Sequence, residues 1–400
     1  MKAHSRSARR KVPAFSIAAV LRNESQRLPI LLESLSDFRG RGGEVVVLDT
    51  GSDDGTPRLA AEAGCRVEVE PRRFTRSLSK KDLTRIEKAF DFPEGPPPLL
   101  RSGQRLFDEG AARNHASSLA KHDFVLAVDG SDVVDVMDLD FLDEAVRGAG
   151  SDVLKFETRR LHECRWFAEH RDYFADRRTT RWYGRAHCFV TPSRARSALR
   201  TTTLPGDRLR VTHHTDGART RDHQFAAVAL DLLASPQAPD RRFLLGRELA
   251  TRGCYGAAQA AFLAVDRPQV ATSLRSSALS MAASCLAAQS PDDEEGIADL
   301  LFKAMRRDPS RRDPFLQLAR RRLNAGDFQA AVSFATAALA IPARVGLSES
   351  EENLRDGPHA ILYWALFWLG RRDEARTHFS ICLESDPGNA AYRDHARLFS

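Results

Sequence analysis

The chain has 400 residues, enough for two or three domains with sizeable cores. Its 60 Lys and Arg residues against 54 Asp and Glu residues give a net charge of +6, and 42% of its residues are hydrophobic. This composition excludes a disordered protein and a multi-span membrane protein, and the charge is too dilute for a dedicated nucleic-acid binder.

The first 13 residues are predicted to form a basic flexible tail. None of the six cysteines has C-x-x-C spacing, which argues against a disulfide framework or a structural zinc site and favours a cytoplasmic location. The longest apolar run, at residues 360–369, is too short to span a bilayer. We therefore expect no transmembrane segment.

The first half of the chain then alternates strand-like and helix-like segments. Short apolar runs predict strands at residues 15–21, 44–48, 66–69 and 124–128. Apolar residues at helical spacing predict helices at residues 28–35, 56–63 and 109–120. This rhythm is typical of a parallel sheet covered by helices. Residues 70–106 interrupt it with a basic run, a short helical stretch and three consecutive prolines, and we predict a long insertion or mobile loop there.

Near residue 220 alanine becomes dense and strand signals disappear. A register of about 34 residues follows, which is typical of helix–turn–helix repeats. A glycine, an aromatic residue two positions on and an alanine five positions on occur at residues 253–258 and again at 326–331. Gly370 and Ala375 repeat the glycine and the alanine. These positions resemble the tetratricopeptide repeat, although any alanine-rich helical bundle produces some such matches.

Three polar constellations follow predicted strands. Asn23 and Glu24 follow the first strand, Asp49-Thr-Gly-Ser-Asp-Asp-Gly-Thr56 follows the second, and Asp129-Gly-Ser-Asp132 follows the fourth. In open α/β sheets ligands bind beyond the carboxyl ends of the strands. Carboxylates there can hold a ribose hydroxyl or a divalent metal bound to a diphosphate. Alone, the first and third constellations are more typical of a helix start and a polar turn. A capped turn explains Ser52 and Asp54 of the second, but it does not explain why Asp49 ends an apolar strand.

Together with Ala112-Arg113-Asn114, the three constellations occur in the order found in glycosyltransferase family 2, which the first 215 or so residues resemble. Residues 181–189 (RWYGRAHCF) and 211–217 (VTHHTDG) resemble segments of bacterial members that carry C-terminal tetratricopeptide repeats. The resemblance implies a GT-A fold, which is a Rossmann-like, mixed α/β sheet that binds a nucleotide sugar. An all-α, tetratricopeptide-like helical repeat domain follows. We predict the tail at residues 1–13, the GT-A domain at 14–218 and the repeats at 219–400.

The resemblance further implies inverting transfer of a sugar from a nucleotide-sugar donor, with Mn²⁺ or Mg²⁺ as the metal. The residues that it implies for holding the nucleotide sugar are Asn23, Glu24, Asp49, Asp54, Arg113, Asn114 and Asp129. The residues predicted to bind the metal are Asp129, Asp132, His213 and His214. Because adjacent strand residues point to opposite faces, one of the two histidines is expected to face the site.

Two positions depart from the family pattern. Ser131 stands where the second metal-binding acid is expected, and the nearest acid is Asp132. Cys188 stands where a glutamate that could act as general base is expected, and a neutral thiol is a poor base. We therefore predict His187 and Asp132 as catalytic groups, with a packing role for His187 equally open. Other acids in the region are Glu157, Glu163, Asp172, Asp176 and Asp207.

These departures leave a second hypothesis open, namely a catalytically inactive GT-A-fold scaffold that acts through its repeats. Under the leading hypothesis, the acceptor is a glycan, protein or peptide presented partly by the repeats. Transfer to nucleic acid is a weaker third hypothesis, because the basic residues near positions 72–81 are typical of a solvated loop.

Overall fold

The computed structural model describes residues 11–90, 100–148, 150–162, 165–194, 198–214, 222–342 and 349–399. Most of the basic tail, the three prolines at 96–98, Glu163 and residues 215–217 lie outside these ranges. The chain forms two compact units. One contains the described residues of 1–78, 103–163 and 168–227, and the other those of 79–102, 164–167 and 228–400.

The strands are β1 (Ser16–Leu21), β2 (Glu44–Asp49), β3 (Arg66–Val69), β4 (Thr75–Ser77), β5 (Arg105–Phe107), β6 (Phe124–Val128), β7 (Asp132–Met137), β8 (Val153–His162), β9 (Arg165–Asp176), β10 (Thr180–Tyr183), β11 (Phe189–Pro192), β12 (Thr201–Thr203), β13 (Leu209–His214) and β14 (Glu349–Ser350). The helices are α1 (Leu28–Ser34), α2 (Ser36–Gly40), α3 (Thr56–Glu62), α4 (Lys80–Ala89), α5 (Glu109–Leu119), α6 (Leu139–Gly148), α7 (Asp222–Ala234), α8 (Pro239–Ala250), α9 (Tyr255–Leu263), α10 (Thr272–Gln289), α11 (Glu294–Arg307), α12 (Asp313–Asn324), α13 (Phe328–Ala340), α14 (Glu351–Leu354), α15 (Gly357–Trp368), α16 (Arg372–Ser385) and α17 (Ala390–His395). A short 3-10 turn, Ala396–Leu398, follows α17.

A mixed sheet forms the core of the first unit, with the strand order β3-β2-β1-β6-β9-β8-β13-β7. Strands β3, β2, β1 and β6 run parallel, whereas β9 is antiparallel to β6 and β7 is antiparallel to β13. Successive strand residues belong to different core clusters. Ile17 packs in one cluster with α1, and Ala18 packs in another with α5. Because both faces are covered, the central strands are continuous apolar runs rather than alternating ones.

The predicted elements of this unit are confirmed. All four predicted strands form, as β1, β2, β3 and β6, and all three predicted helices form, as α1, α3 and α5. Residues 70–106 contain more regular structure than the predicted loop. Strand β4 pairs antiparallel with β5, and α4 starts with a capping box between Ser79 and Asp82. Local capping and pairing therefore order part of the insertion.

The second half consists of helix pairs, as the glycine and alanine pattern predicts. Gly253, Gly326 and Gly370 lie in the turns between paired helices, each with a φ of 77°. This left-handed backbone conformation favours glycine. Within the first pair, a Cβ atom on Gly246 of α8 would lie 2.7 Å from the ring of Phe262 on α9. Small residues at the repeat positions therefore let the paired helices approach closely.

The predicted fold class is confirmed. An α/β unit with a mixed sheet comes first along the chain, and an all-α array of helix pairs follows it. Within the described ranges, no helix has both the length and the apolar character needed to cross a bilayer.

We expect Gly246→Ala to destabilise the protein by about 1–3 kcal/mol, because the added methyl group would be forced against the ring of Phe262. Thermal or urea denaturation measures this change. Gly148→Ala in α6 is the control, since open space surrounds that position. The control should stabilise the protein by up to about 1 kcal/mol through helix propensity. Equal effects of the two substitutions would contradict the close helix approach.

Two histidines in the last helix pair predict a pH-dependent stability. The Nδ1 atoms of His359 on α15 and His378 on α16 lie 2.8 Å apart. Burial lowers the pKa of both imidazoles, and His359 further lowers the pKa of His378. The charges of Asp356 and Glu374 oppose these shifts without reversing them.

Because the folded state favours neutral imidazoles here, the unfolded chain binds protons first as the pH falls below about 6.5. The stability that the pair contributes is therefore present above that pH and lost below it. We expect the melting temperature of the wild type to fall more between pH 7.5 and pH 5.5 than that of His378→Asn. Identical pH profiles of the two proteins would contradict this assignment.

Candidate functional site

The parallel strands bring the predicted polar constellations to one edge of the sheet. Leu21 at the end of β1 is in register with Asp49 at the end of β2, and Ala19 is in register with Val128 at the end of β6. The segments that leave these strands therefore start side by side. This edge is where ligands bind in open α/β sheets.

Asp49 and Asn23 organise the turn that follows β2. The Asp49 side chain is fully buried, and its Oδ1 accepts hydrogen bonds of 2.9 Å from the backbone N–H groups of Gly51 and Ser52. Its Oδ2 accepts a bond from the Ser52 hydroxyl. Asn23 donates its N–H to the same hydroxyl at 2.8 Å and accepts a bond from the N–H of Asp53 at 3.0 Å. Both residues thus hold the backbone at the edge in a defined shape.

Glu24 and Asp54 connect the segment after β1 to the start of α3. Glu24 is buried, and its N–H donates to the Thr56 hydroxyl at 2.8 Å. Asp54 accepts bonds from the N–H groups of Ser25 and Thr56 at 2.9 and 3.0 Å. Burial acts to raise the pKa of Asp54, but the hydrogen bonds from Thr56 and Ser25 outweigh it and lower the pKa well below its usual value. Asp54 is therefore an ionised carboxylate that links the N–H groups of Ser25 and Thr56.

An acidic cluster with one histidine lies just beyond β6. The Asp129 N–H donates to Asp132 Oδ2 at 2.8 Å, and Asp132 Oδ1 lies 2.7 Å from His213 Nδ1. His213 comes into contact because β13 pairs antiparallel with β7 and places it opposite Asp132. His214 is exposed, and its N–H donates to the Ser131 carbonyl. Of the two predicted histidines, the structure thus brings His213 to the cluster.

The cluster can bind a divalent cation. Asp129, Asp132 and His213 each offer one ligand atom, and these three atoms lie within 4.8 Å of one another. Two carboxylates and an imidazole form a donor set suited to Mn²⁺. Asp132 reaches the cluster although it lies one position beyond the expected acid, because the turn after β6 folds its side chain back to the Asp129 N–H.

Two arginines, the buried Arg113 and the half-buried Arg171, place positive charge against the cluster. Arg113 on α5 donates from Nε and Nη2 to Glu109 Oε1 at 3.1 and 3.0 Å, and from Nη2 to Asp129 Oδ1. Arg171 on β9 lies 3.7 Å from Asp129 Oδ2 and 3.8 Å from Asp132 Oδ1. Burial acts to raise the pKa of Asp129, but the positive charges of both arginines outweigh it and lower the pKa to about 2. The site thus combines carboxylates for a cation with guanidinium groups for an anion.

Aromatic rings and one amide hold these arginines in place. The ring of Tyr173 lies 4.9 Å from the Arg113 guanidinium and 5.1 Å from that of Arg171, and Trp182 lies 5.1 Å from Arg113. Asn114 donates to the Trp182 carbonyl at 2.9 Å and accepts a bond from the Trp182 N–H at 2.8 Å. Asn114 therefore joins α5 to β10 in the described structure.

The segment between β10 and β11 packs on the first turn of α5. Glu109 and Gly110 donate their N–H groups to the carbonyls of Arg185 and Gly184 at 3.1 and 2.9 Å. A Cβ atom on Gly110 would lie 2.6 Å from the Gly184 oxygen, so the approach needs a glycine. Cys188 in this segment is buried, and burial together with the charge of Glu109 raises the pKa of its thiol well above the usual value. The thiol is therefore neutral.

Within the described ranges, the non-glycine residues with positive φ are Asn23 at 55° and His187 at 48°. Such backbone conformations are costly and occur often at functional sites. Asp132, the other predicted catalytic group, is buried and already engaged by Asp129 and His213. Both catalytic assignments stay predictions.

Three further residues of the site, Glu109, Arg171 and Tyr173, are absent from the sequence predictions. Glu109 carried a detectable signal, because an acid four positions before Arg113 forms an i, i+4 ion pair on a helix. Arg171 and Tyr173 lie on the long strand β9, and their sequence neighbourhood gives no indication that they face the ends of β1 and β6.

No protein-family model and no curated protein matches the sequence. Among solved structures, residues 1–349 of TarS from S. aureus in complex with UDP-GlcNAc match with 13% identity over 94% of this chain and 92% of that chain, at a TM-score of 0.35. Glucosyl-3-phosphoglycerate synthase from Mycobacterium tuberculosis, in complex with phosphoglyceric acid, matches with 22% identity over 37% and 44% of the two chains, at a TM-score of 0.24.

A thermophilic TPR protein from Thermus thermophilus matches with 22% identity over 44% of this chain and 87% of that chain, at a TM-score of 0.32. All three similarities have TM-scores of 0.35 or less.

We expect Mn²⁺ to raise the melting temperature of the protein and His213→Ala to reduce that increase. The increase follows from mass action, which amounts to about 2.7 kcal/mol at a ligand concentration one hundred times Kd. His214→Ala is the matched control, because its side chain is exposed beside the cluster. Equal Mn²⁺ responses of the two variants would contradict a metal site built on His213.

Proposed function

We propose that the chain is an inverting glycosyltransferase of family 2, with a GT-A domain at residues 14–218 and tetratricopeptide-like repeats at 219–400. The observation that carries this proposal is the meeting of Asp129, Asp132 and His213 with Arg113 and Arg171 at the carboxyl ends of parallel strands. Such a site can bind a metal and a diphosphate together. The order of motifs along the chain supports the same function.

The proposed donor is a nucleotide sugar bound along this edge. Asp129, Asp132 and His213 would hold the divalent metal, and the exposed His214 is proposed to lie outside the ligand set. When bound, the metal supplies positive charge that stabilises the diphosphate leaving group. Arg113 and Arg171 carry fixed positive charge in the same place, so they stabilise negative charge on the departing phosphates.

The nucleoside end of the donor is proposed to bind at the turns after β1 and β2. These turns are built by Asn23, Glu24, Asp49 and Asp54, whose hydrogen bonds fix the backbone there. Asn114 supports the opposite side through its two bonds to Trp182. In this proposal the predicted nucleotide-binding residues act largely by shaping the pocket, and Arg113 acts through its charge.

The repeats are proposed to present the acceptor, which is a glycan, protein or peptide. An aromatic surface on this unit supports that role. Trp368 on α15 is 56% exposed and stacks on Phe328 of α13 with ring centres 6.0 Å apart. The Arg372 guanidinium lies 4.7 Å from the ring of Phe367 nearby. An exposed indole with half-buried rings and a cation nearby suits stacking against sugar rings or peptide side chains.

The neutral Cys188 thiol favours one competing function, a catalytically inactive scaffold that still binds the donor. A two-step experiment separates the two proposals. The melting temperature is first measured with Mn²⁺ and one of UDP-glucose, UDP-GlcNAc or GDP-mannose, and the release of nucleoside diphosphate is then followed for each compound that stabilises the protein. Release supports the enzyme, whereas stabilisation without release supports the scaffold.

For the enzyme, we expect Asp129→Asn to reduce this release by at least about tenfold, because a charged group that contacts metal or phosphate contributes about 1.5–3 kcal/mol or more. Asp135→Asn is the matched control. Asp135 lies on β7 near Asp132 but points outward and accepts a bond from Thr212. Full activity of Asp129→Asn would remove Asp129 from the site.

A further inference from the structure

Sugar transfer needs a group that accepts the proton of the acceptor hydroxyl, and three carboxylates predicted for the site, those of Asp49, Asp129 and Asp132, are already engaged. Asp49 is fully buried and accepts three hydrogen bonds from its own turn. Asp132 is 2% exposed and bonds to the Asp129 N–H and to His213. Asp129 binds Arg113 and belongs to the proposed metal site.

Glu109 differs from these carboxylates in its setting. Its side chain is 25% exposed, so substrate can reach it. Both hydrogen bonds from Arg113 end on Oε1, so Arg113 does not bond to Oε2, and that second oxygen can receive a proton. The Arg113 guanidinium pairs with both Glu109 and Asp129, so a single side chain separates the two carboxylates.

The segment after β10 lies beside Glu109 and supplies a neutral group. Main-chain bonds from Glu109 and Gly110 fix this segment on the first turn of α5. Cys188, which follows His187 there, lies close enough to Glu109 for a side-chain hydrogen bond. A buried neutral thiol cannot accept the proton. Where α5 and the segment after β10 face each other, the carboxylate is therefore that of Glu109 on α5.

We propose that Glu109 is the general base of the transfer, an inference that rests on the proposed glycosyltransferase function. The acceptor O–H proton moves to Glu109 Oε2, and the electron pair of the acceptor oxygen forms the bond to the anomeric carbon of the donor. The bond from that carbon to the phosphate oxygen breaks, and its electron pair leaves with the nucleoside diphosphate. Water can take the place of the acceptor, which gives slow hydrolysis of the donor.

The test compares the full-length wild type with Glu109→Gln, using the nucleotide sugar from the panel above that the wild type hydrolyses. Glutamine keeps an oxygen that can accept the Arg113 bonds, so donor affinity from titration should change by less than about threefold. Hydrolysis at saturating donor should fall by about 10²–10⁴-fold, the usual contribution of a general base. Asp108→Asn is the matched control with unchanged hydrolysis, because asparagine also caps α5 at that position.

A double variant distinguishes a base from a structural partner of Arg113. The double variant Glu109→Gln with Cys188→Glu removes the carboxylate from α5 and adds one on the segment after β10. We expect this double variant to hydrolyse the donor at least tenfold faster than Glu109→Gln alone. A double variant no faster than the single one would assign Glu109 a structural role and overturn the proposal.

Other outcomes are equally decisive. Wild-type hydrolysis by Glu109→Gln overturns the base assignment and leaves the glycosyltransferase proposal intact, and so does loss of donor binding in that variant. A wild type that binds or hydrolyses none of the nucleotide sugars overturns the proposed function itself, before any variant is compared.

Discussion

The buried guanidinium of Arg113 is the interaction on which the site depends. A buried charge is costly unless it is paired and hydrogen-bonded, so the groups around Arg113 must be held in fixed positions. Glu109 and Asp129 pair with it, and the rings of Tyr173 and Trp182 cover it. These four residues come from a helix, a strand end and two further strands. One charge thereby connects the elements that meet at this edge of the sheet.

Glycines let neighbouring segments pack closely around this charge. Gly110 lets the segment before β11 lie on α5, and Gly130 leaves room for Glu24, whose Cδ would lie 2.6 Å from a Cβ there. In the turn after β2, the N–H groups of residues 51–53 donate hydrogen bonds to the side chains of Asp49 and Asn23. Because little reorganisation is needed, such an edge can present charges to a ligand in a preset arrangement. The helix pairs follow a simpler rule, in which glycines form turns and small residues allow tight packing.

The two departures from the family pattern have different structural outcomes. At Ser131 the chain compensates locally, because a turn brings the next residue, Asp132, to His213. At Cys188 no acid of the same segment is described at the site, and the nearby carboxylate is Glu109 on a different element. Under the proposed function, a carboxylate thus keeps its place in space while the residue that supplies it changes position in the sequence.

The sequence by itself determined four parallel strands and three helices of the first unit, and the turns of the helix pairs that follow. Apolar runs, capping residues and turn glycines act over a few neighbouring residues, so β1, β2, β3, β6 and the helix-pair turns could be predicted. Only the tertiary structure decided which side chains meet. That His213 rather than His214 reaches Asp132 follows from the register of β13 on β7, and that Arg171 reaches Asp129 follows from the position of β9 beside β6. Register between distant strands depends on non-local packing, which leaves little trace in the local pattern of residues.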